Sequence, residues 1–245
     1  MLFRSAADPE HAVPPLIDAI GGAEPLVKTR SARESRALAD GPLTVEHLAR
    51  ALRDTVGDKA VSLTHLPLSW NGAWWPFRHP LDFLGSDGGG GLGAGPGHTV
   101  GAALALKGTG RIAIGICGDG DFLMGATALW TAAHYRIPLL IVVANNRSFY
   151  NDEVHQERVA RMRNRPVENK WIGQRISDPD IDMAALARAQ GALGFGPIED
   201  WNQLGSTFAK AVAAVEQGQV AVVDVRVAPG YTPAMTAAVS NAERK

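Results

Sequence analysis

The chain has 245 residues, of which 46% are hydrophobic, and a formal net charge of −1. That length supports one α/β domain with a full core, and the charge balance points to no nucleic-acid or polyanion partner. No apolar run reaches membrane-spanning length, no signal peptide is evident, and a lone cysteine, Cys117, excludes an internal disulfide, so a cytoplasmic setting is the expectation.

Residues 1–40 read as a linker or the remnant of a preceding domain. Pro9, Pro14 and Pro15 interrupt them, and Leu16–Ile20 forms at most one short helix before Gly21-Gly22. The domain proper spans 41–228. Its first helix starts after Leu43, with Thr44 as N-cap and Val45, Leu48, Ala51 and Leu52 on one face. Ala60–Leu66 is the first strand. Ser69–Pro76 follows it, and its Trp70, Trp74 and Trp75 fit either a partner interface or this domain's own core. Ser69 and Asn71 are candidate contacts there.

Residues 85–97 hold eight glycines, which cost chain entropy on ordering unless the backbone must approach a ligand closely. Gly88, Gly90 and Gly93 satisfy a G-x-G-x-x-G count. No β-branched strand precedes them, however, and no acidic residue follows at the distance a dinucleotide fingerprint needs. A helix over His98–Leu106 comes next. The apolar runs Arg111–Cys117 and Ile137–Ala144 read as buried parallel strands. Between them, Phe122–Arg136 is expected to be one helix, with Leu123, Ala126, Leu129, Trp130 and Ala133 facing inward.

This strand–helix–strand unit puts Gly118-Asp119-Gly120 and Asn145-Asn146 at the carboxyl ends of neighbouring strands, where open α/β sheets bind ligands. Mg²⁺ takes hard oxygen ligands and shares them with substrate phosphates. Asp119 supplies a charge, Asn146 an amide oxygen, and the Ser148 backbone carbonyl a third oxygen. Gly118 and Gly120 allow a tight turn toward a phosphate. Taken alone, Gly-Asp-Gly is equally an ordinary turn. Cys117, beside this loop, shows no partnering base in the sequence and is expected to be an inert buried thiol.

Arg147–Asp180 is long and polar. Arg158, Arg161, Arg163 and Arg165 form a basic run beside Glu153, Glu157 and Glu168, as on a solvated helix face, a mobile lid or an anion-binding edge. Asp182 caps a helix through Gln190, Trp201–Glu216 is another helix, and Val220–Val225 is the last strand. Residues 229–245 read as a polar tail. The fold class is α/β, a single domain with a doubly wound, mostly parallel sheet and helices on both faces.

The segment from Gly118-Asp119-Gly120 to Asn145-Asn146 resembles the cofactor-binding signature of thiamine-diphosphate-dependent enzymes. Ala128–Pro138 is especially similar to the benzoylformate decarboxylase and acetolactate synthase branch. The resemblance implies Mg²⁺ held by Asp119, Asn146 and the Ser148 carbonyl. It implies cofactor contacts from Gly90, Gly91, Leu92, Gly118, Asp119, Gly120, Asp121, Asn146, Ser148 and Phe149. Leu92 would be the apolar wedge that bends the cofactor, and the Gly90 carbonyl would accept a hydrogen bond from its amino group. These two are the candidate catalytic positions, with a plain core leucine as the alternative for Leu92. Phe149, Tyr150 and His155 would border the substrate, and His98 would lie in the first turn of its helix. The implied activity is decarboxylation or ligation of 2-oxo acids by a lyase or transferase. The pyrimidine-binding domain that completes such a site is expected on another chain or a missing segment, within a homo- or hetero-oligomer. A non-catalytic cofactor-binding or assembly module and a nucleotide-dependent oxidoreductase are the competing classes.

Overall fold

A computed structural model describes residues 14–15, 18–19, 41–85 and 91–230. The expectations placed on residues 1–40, on Gly88 and Gly90, and on the tail beyond residue 230 lie outside them, apart from residues 14–15 and 18–19. The chain divides between Ala39 and Asp40, and every element below belongs to the second unit.

Five strands form one sheet: β1 (Val61–His65), β2 (Ile112–Gly118), β3 (Leu139–Asn145), β4 (Leu193–Ile198) and β5 (Val220–Arg226). Their order is β1-β2-β3-β5-β4 and every pairing is parallel. Seven α-helices accompany them among the described residues: α1 (Val45–Val56), α2 (Ala94–Ala105), α3 (Asp119–Gly125), α4 (Ala128–His134), α5 (Tyr150–Met162), α6 (Met183–Ala189) and α7 (Leu204–Glu216). Alternation along the strands splits the core into two layers. Ile114, Ile116 and Val142 pack with Leu48 of α1 and Phe208 of α7. Ala113, Cys117, Ile141 and Val143 face the other way, with Val100, Phe122, Leu129 and Met183 of α2, α3, α4 and α6. The sheet is therefore doubly wound.

Local sequence explains most boundaries. The Thr44 hydroxyl caps α1 by accepting from the His47 N–H, while Leu48, Ala49 and Leu52 are fully buried. The Asp182 carboxylate caps α6 by accepting from the Ala185 N–H at 2.7 Å. Trp70 lies 5.9 Å from Trp74 and 6.3 Å from Trp75 between ring centroids, and all three pack into this domain's own core.

Four expectations need correction. The helix over Phe122–Arg136 is two helices, α3 and α4, separated at Ala126-Thr127. Its inward face holds at Leu123, Ala126 and Leu129 but not at Trp130, which is 55% exposed, while Phe122 and Ala132 are buried as well. The helix expected at His98 starts at Ala94, so the last glycines of the run lie inside α2. The helix expected over Trp201–Glu216 opens with a 3₁₀ turn, Trp201–Gln203.

Strand β4 was not foreseen, because Gly194, Gly196 and Pro197 look like a loop. It survives because it is an edge strand, where a missing N–H is tolerated. At Gly194 a Cβ would lie 2.1 Å from the Ala184 carbonyl oxygen, so glycine there is what lets α6 pack on the strand.

Candidate functional site

The loops after β2 and β3 are neighbours because Gly118 pairs with Ala144 across the sheet. Asp119 opens α3 directly at the strand end, and its carboxylate is 2% exposed. One carboxylate oxygen, Oδ1, accepts the Gly120 N–H at 2.9 Å. The other, Oδ2, accepts the Ser148 N–H at 3.0 Å, and Asn146 Oδ1 accepts that same N–H at 2.9 Å. The two oxygens are thus held within two hydrogen-bond lengths of each other by one donor. Both are hard oxygen donors of the kind that Mg²⁺ takes. Burial pushes the Asp119 carboxyl up to about 6, against the pull of the Gly120 and Ser148 N–H groups. Among the described residues this buried carboxylate has amide donors and no ion-pair partner, and a divalent ion would relieve that cost.

A cavity of about 470 Å³ opens over these groups. Gly91, Leu92, Gly118, Asp119, Gly120, Asp121, Asn146, Ser148 and Phe149 all line it, so every described cofactor candidate converges on one space. Gly90 lies outside the described residues. Leu92 is 56% exposed, which removes the core-leucine alternative. Gly120 is needed for the Phe149 ring, since a Cβ there would sit 2.1 Å from Phe149 Cε1. Ser69 and Tyr150 also line the cavity. Asn71 instead caps a short turn by accepting the Ala73 N–H at 2.9 Å. His155 and His98 are not part of the lining, and His98 is the fifth residue of α2. A second cavity of about 360 Å³ lies at the amino edge of the sheet. Its Lys59 and Glu216 pair at 2.5 Å and its Arg111 is bound to Ser62 and Asp82, so its charges are already satisfied internally.

Three features were not legible beforehand. The Asp121 carboxylate turns to the glycine loop: its Oδ1 accepts the Gly93 N–H at 2.7 Å and the Gly95 N–H at 3.2 Å. His65, at the end of β1, brings Nε2 to 3.1 Å from Asp121 Oδ2. Burial raises the Asp121 carboxyl, but His65 and the two glycine N–H groups outweigh it and hold it below the usual range. Cys117 completes the cluster, with its sulfur, His65 and an Asp121 oxygen all within 4.8 Å of one another. The expectation that no base stands near Cys117 is therefore wrong. The thiol is still held protonated, because burial and the Asp121 charge push its pKa far up. Only the place of His65 at a strand's carboxyl end could have signalled it.

Glu153 is the third feature. Read as one of a solvated row, it is 2% exposed, accepts from the Ser148 hydroxyl and pairs with Arg175 Nε at 2.9 Å. The rest of the row does face solvent, as with Arg161 on Glu157.

The tie from Asp121 to the glycine loop makes a specific expectation. Asp121→Ala removes the acceptor of two backbone N–H groups, one of them buried, and should cost about 2 kcal/mol or more in chemical denaturation. Asp121→Asn keeps one acceptor and should cost less. Equal stability of wild type and Asp121→Ala would mean that the tie contributes nothing.

Residues 68–225 match the family profile of the thiamine pyrophosphate enzyme, C-terminal TPP binding domain. The chain is 47% identical over 60 residues to benzoylformate decarboxylase of Pseudomonas aeruginosa, covering 24% of this chain and 11% of that protein. It is 28% identical over 154 residues to the acetolactate synthase isozyme 3 large subunit of Escherichia coli, covering 63% and 25%. Among solved structures it resembles the thiamine diphosphate-dependent 4-hydroxybenzoylformate decarboxylase of Rhodococcus jostii RHA1. The TM-score is 0.66 at 27% identity, covering 80% of this chain and 35% of that one. The chain thus spans between 11% and 35% of the length of these relatives.

Proposed function

Because this chain belongs to the thiamine pyrophosphate enzymes through their C-terminal TPP-binding domain, we propose that it is the diphosphate- and Mg²⁺-binding part of an enzyme that decarboxylates or ligates 2-oxo acids. The observation that carries the metal reading is the convergence of Asp119 Oδ2 and Asn146 Oδ1 on the Ser148 N–H at the floor of the cavity. Asp119, Asn146 and the Ser148 carbonyl are the residues that would hold the ion, and the glycines around Asp119 leave room for a diphosphate. Thiamine diphosphate, when bound, supplies the nucleophilic carbon and the electron sink of such chemistry. The chain's own contribution is positional. Leu92 offers apolar surface beside the metal oxygens, Asp121 holds the loop that carries Leu92, and Phe149 and Tyr150 form the rim where a substrate would enter.

A pyrimidine-binding domain, on another chain or another part of the polypeptide, would complete the site. Calorimetric titration of the chain with thiamine diphosphate should show binding that requires Mg²⁺, and NAD should show none. Without that domain, 2-oxo acid turnover by this chain should be at or near background. Binding of NAD in place of thiamine diphosphate would overturn the assignment, and robust turnover by the chain alone would overturn the need for a second domain.

A further inference from the structure

The metal-site reading uses Asn146 but leaves its neighbour Asn145 and the buried Asp224 without a role. Asn145 is 1% exposed and Asp224 is 0% exposed, which is costly for two polar groups in the middle of a sheet. They lie on the paired strands β3 and β5, where Asp224 is in register with Val143 and Asn145 with Arg226, and Asn145 Nδ2 donates diagonally to Asp224 Oδ1 at 2.9 Å. The amide oxygen of Asn145 points the other way and accepts the Arg147 N–H at 3.2 Å. Arg147 has φ 58, a left-handed conformation that a side chain as large as arginine rarely adopts. That turn is what brings the next N–H, from Ser148, between Asp119 and Asn146.

From this chain of contacts we infer that Asn145, fixed by Asp224, is a positioning residue for the metal loop: its amide bridges β5 to the Arg147 N–H and so sets where the Ser148 N–H and the Asn146 oxygen stand. The hydrogen bond from Asp224 removes the amide's freedom to flip. With its NH₂ committed to the carboxylate, only its oxygen can meet Arg147. The far side of the loop is held separately, as the Arg147 carbonyl accepts the Ile176 N–H at 2.8 Å. Loss of the Asn145 contact would therefore loosen the turn without releasing the whole segment. Groups that orient metal ligands from behind typically change affinity by about 10–100-fold when removed.

The metal part of this inference rests on the function proposed above, while the loop part does not, so two readouts separate them. Amide hydrogen exchange, followed by NMR on the ligand-free chain, reports the loop. Titration with Mg²⁺ in the presence of thiamine diphosphate reports the site. Asn145→Ala should speed exchange at the Arg147 and Ser148 amides by about tenfold or more and weaken Mg²⁺ binding by about tenfold. Asn145→Asp keeps an acceptor for Arg147 but sets a carboxylate against Asp224, and should be equally impaired. The double variant Asn145→Asp/Asp224→Asn reverses donor and acceptor across the pair and should restore both readouts, which a general loss of stability would not do. Unchanged protection of Arg147 and Ser148 in Asn145→Ala, or no recovery in a folded double variant, overturns the positioning role. Failure of the wild type to bind Mg²⁺ overturns the site reading instead, with the exchange data still deciding the loop.

Discussion

Asp119→Asn should lower Mg²⁺-dependent affinity for thiamine diphosphate by about 100-fold or more, beyond the range usual for groups behind the ligands. It should also change how stability of the ligand-free chain depends on pH. An aspartate carboxyl ordinarily titrates at 3.8, whereas that of Asp119 sits at about 6 in the fold, because burial disfavours its charge. Between those two values the folded state binds more protons than the unfolded state, so this group's contribution to stability falls as pH rises. Below that window the cost is absent; above it the cost is fully present, at up to about 3 kcal/mol. An asparagine cannot ionise, so the stability difference between variant and wild type should move in the variant's favour by about that amount from pH 4 to pH 7. The comparison isolates Asp119 from Asp224, whose burial also raises its carboxyl and which both proteins share. Saturating Mg²⁺ with thiamine diphosphate should offset the cost in the wild type only. Denaturant titrations at several pH values measure all of this, and parallel pH profiles for the two proteins would rule out a strained carboxylate at this site.

The second large effect is expected at Gly95. A Cβ there would lie 2.1 Å from Asp121 Oδ2, 2.7 Å from Cys117 Sγ and 3.0 Å from His65 Cδ2. Three side chains from β1, β2 and α3 therefore meet on the bare Cα of this residue, in the first turn of α2. Gly95→Ala should cost about 1–3 kcal/mol by overpacking. It should also displace the Asp121 carboxylate from the Gly93 and Gly95 N–H groups and so shift the loop that carries Leu92. Reduced thermal stability together with at least tenfold weaker cofactor binding is the expected pair of results. Gly97, two residues on in the same helix, is the control: a Cβ there meets nothing within 4 Å, and Gly97→Ala should be neutral or slightly stabilising. Equal behaviour of the two variants would show that the contact at Gly95 is not the reason for the glycine.

The packing at Gly95 also depends on contacts that local sequence does not encode. Eight glycines between residues 85 and 97 announced a close approach. They did not announce that one of them is pressed against Asp121, Cys117 and His65. His65 is 56 positions from Asp121 and carries no motif of its own, so nothing local to either residue could join them. Glu153 went unrecognised for a related reason. It sits in a run of charged residues of which most do face water, and only the approach of Arg175 and Ser148 sets it apart. Strand β4 was hidden by Gly194, Gly196 and Pro197, whose local preferences argue for a loop.

What the sequence determined by itself was everything encoded over short range or by period. The apolar runs of β2, β3 and β5 fixed a parallel sheet, because strands buried on both faces read as continuous hydrophobic stretches. The spacing from Asp119 to Asn146 fixed their place on adjacent strand ends, because it is the length of a single helical crossover, made here of α3 and α4. Tertiary structure alone decided which groups face each other across those ends: the shared Ser148 N–H, the Asp224–Asn145 bridge behind it, and the His65–Asp121–Cys117 cluster beside it. Each joins residues on different strands or loops, and such contacts depend on register and packing rather than on any neighbour in the chain.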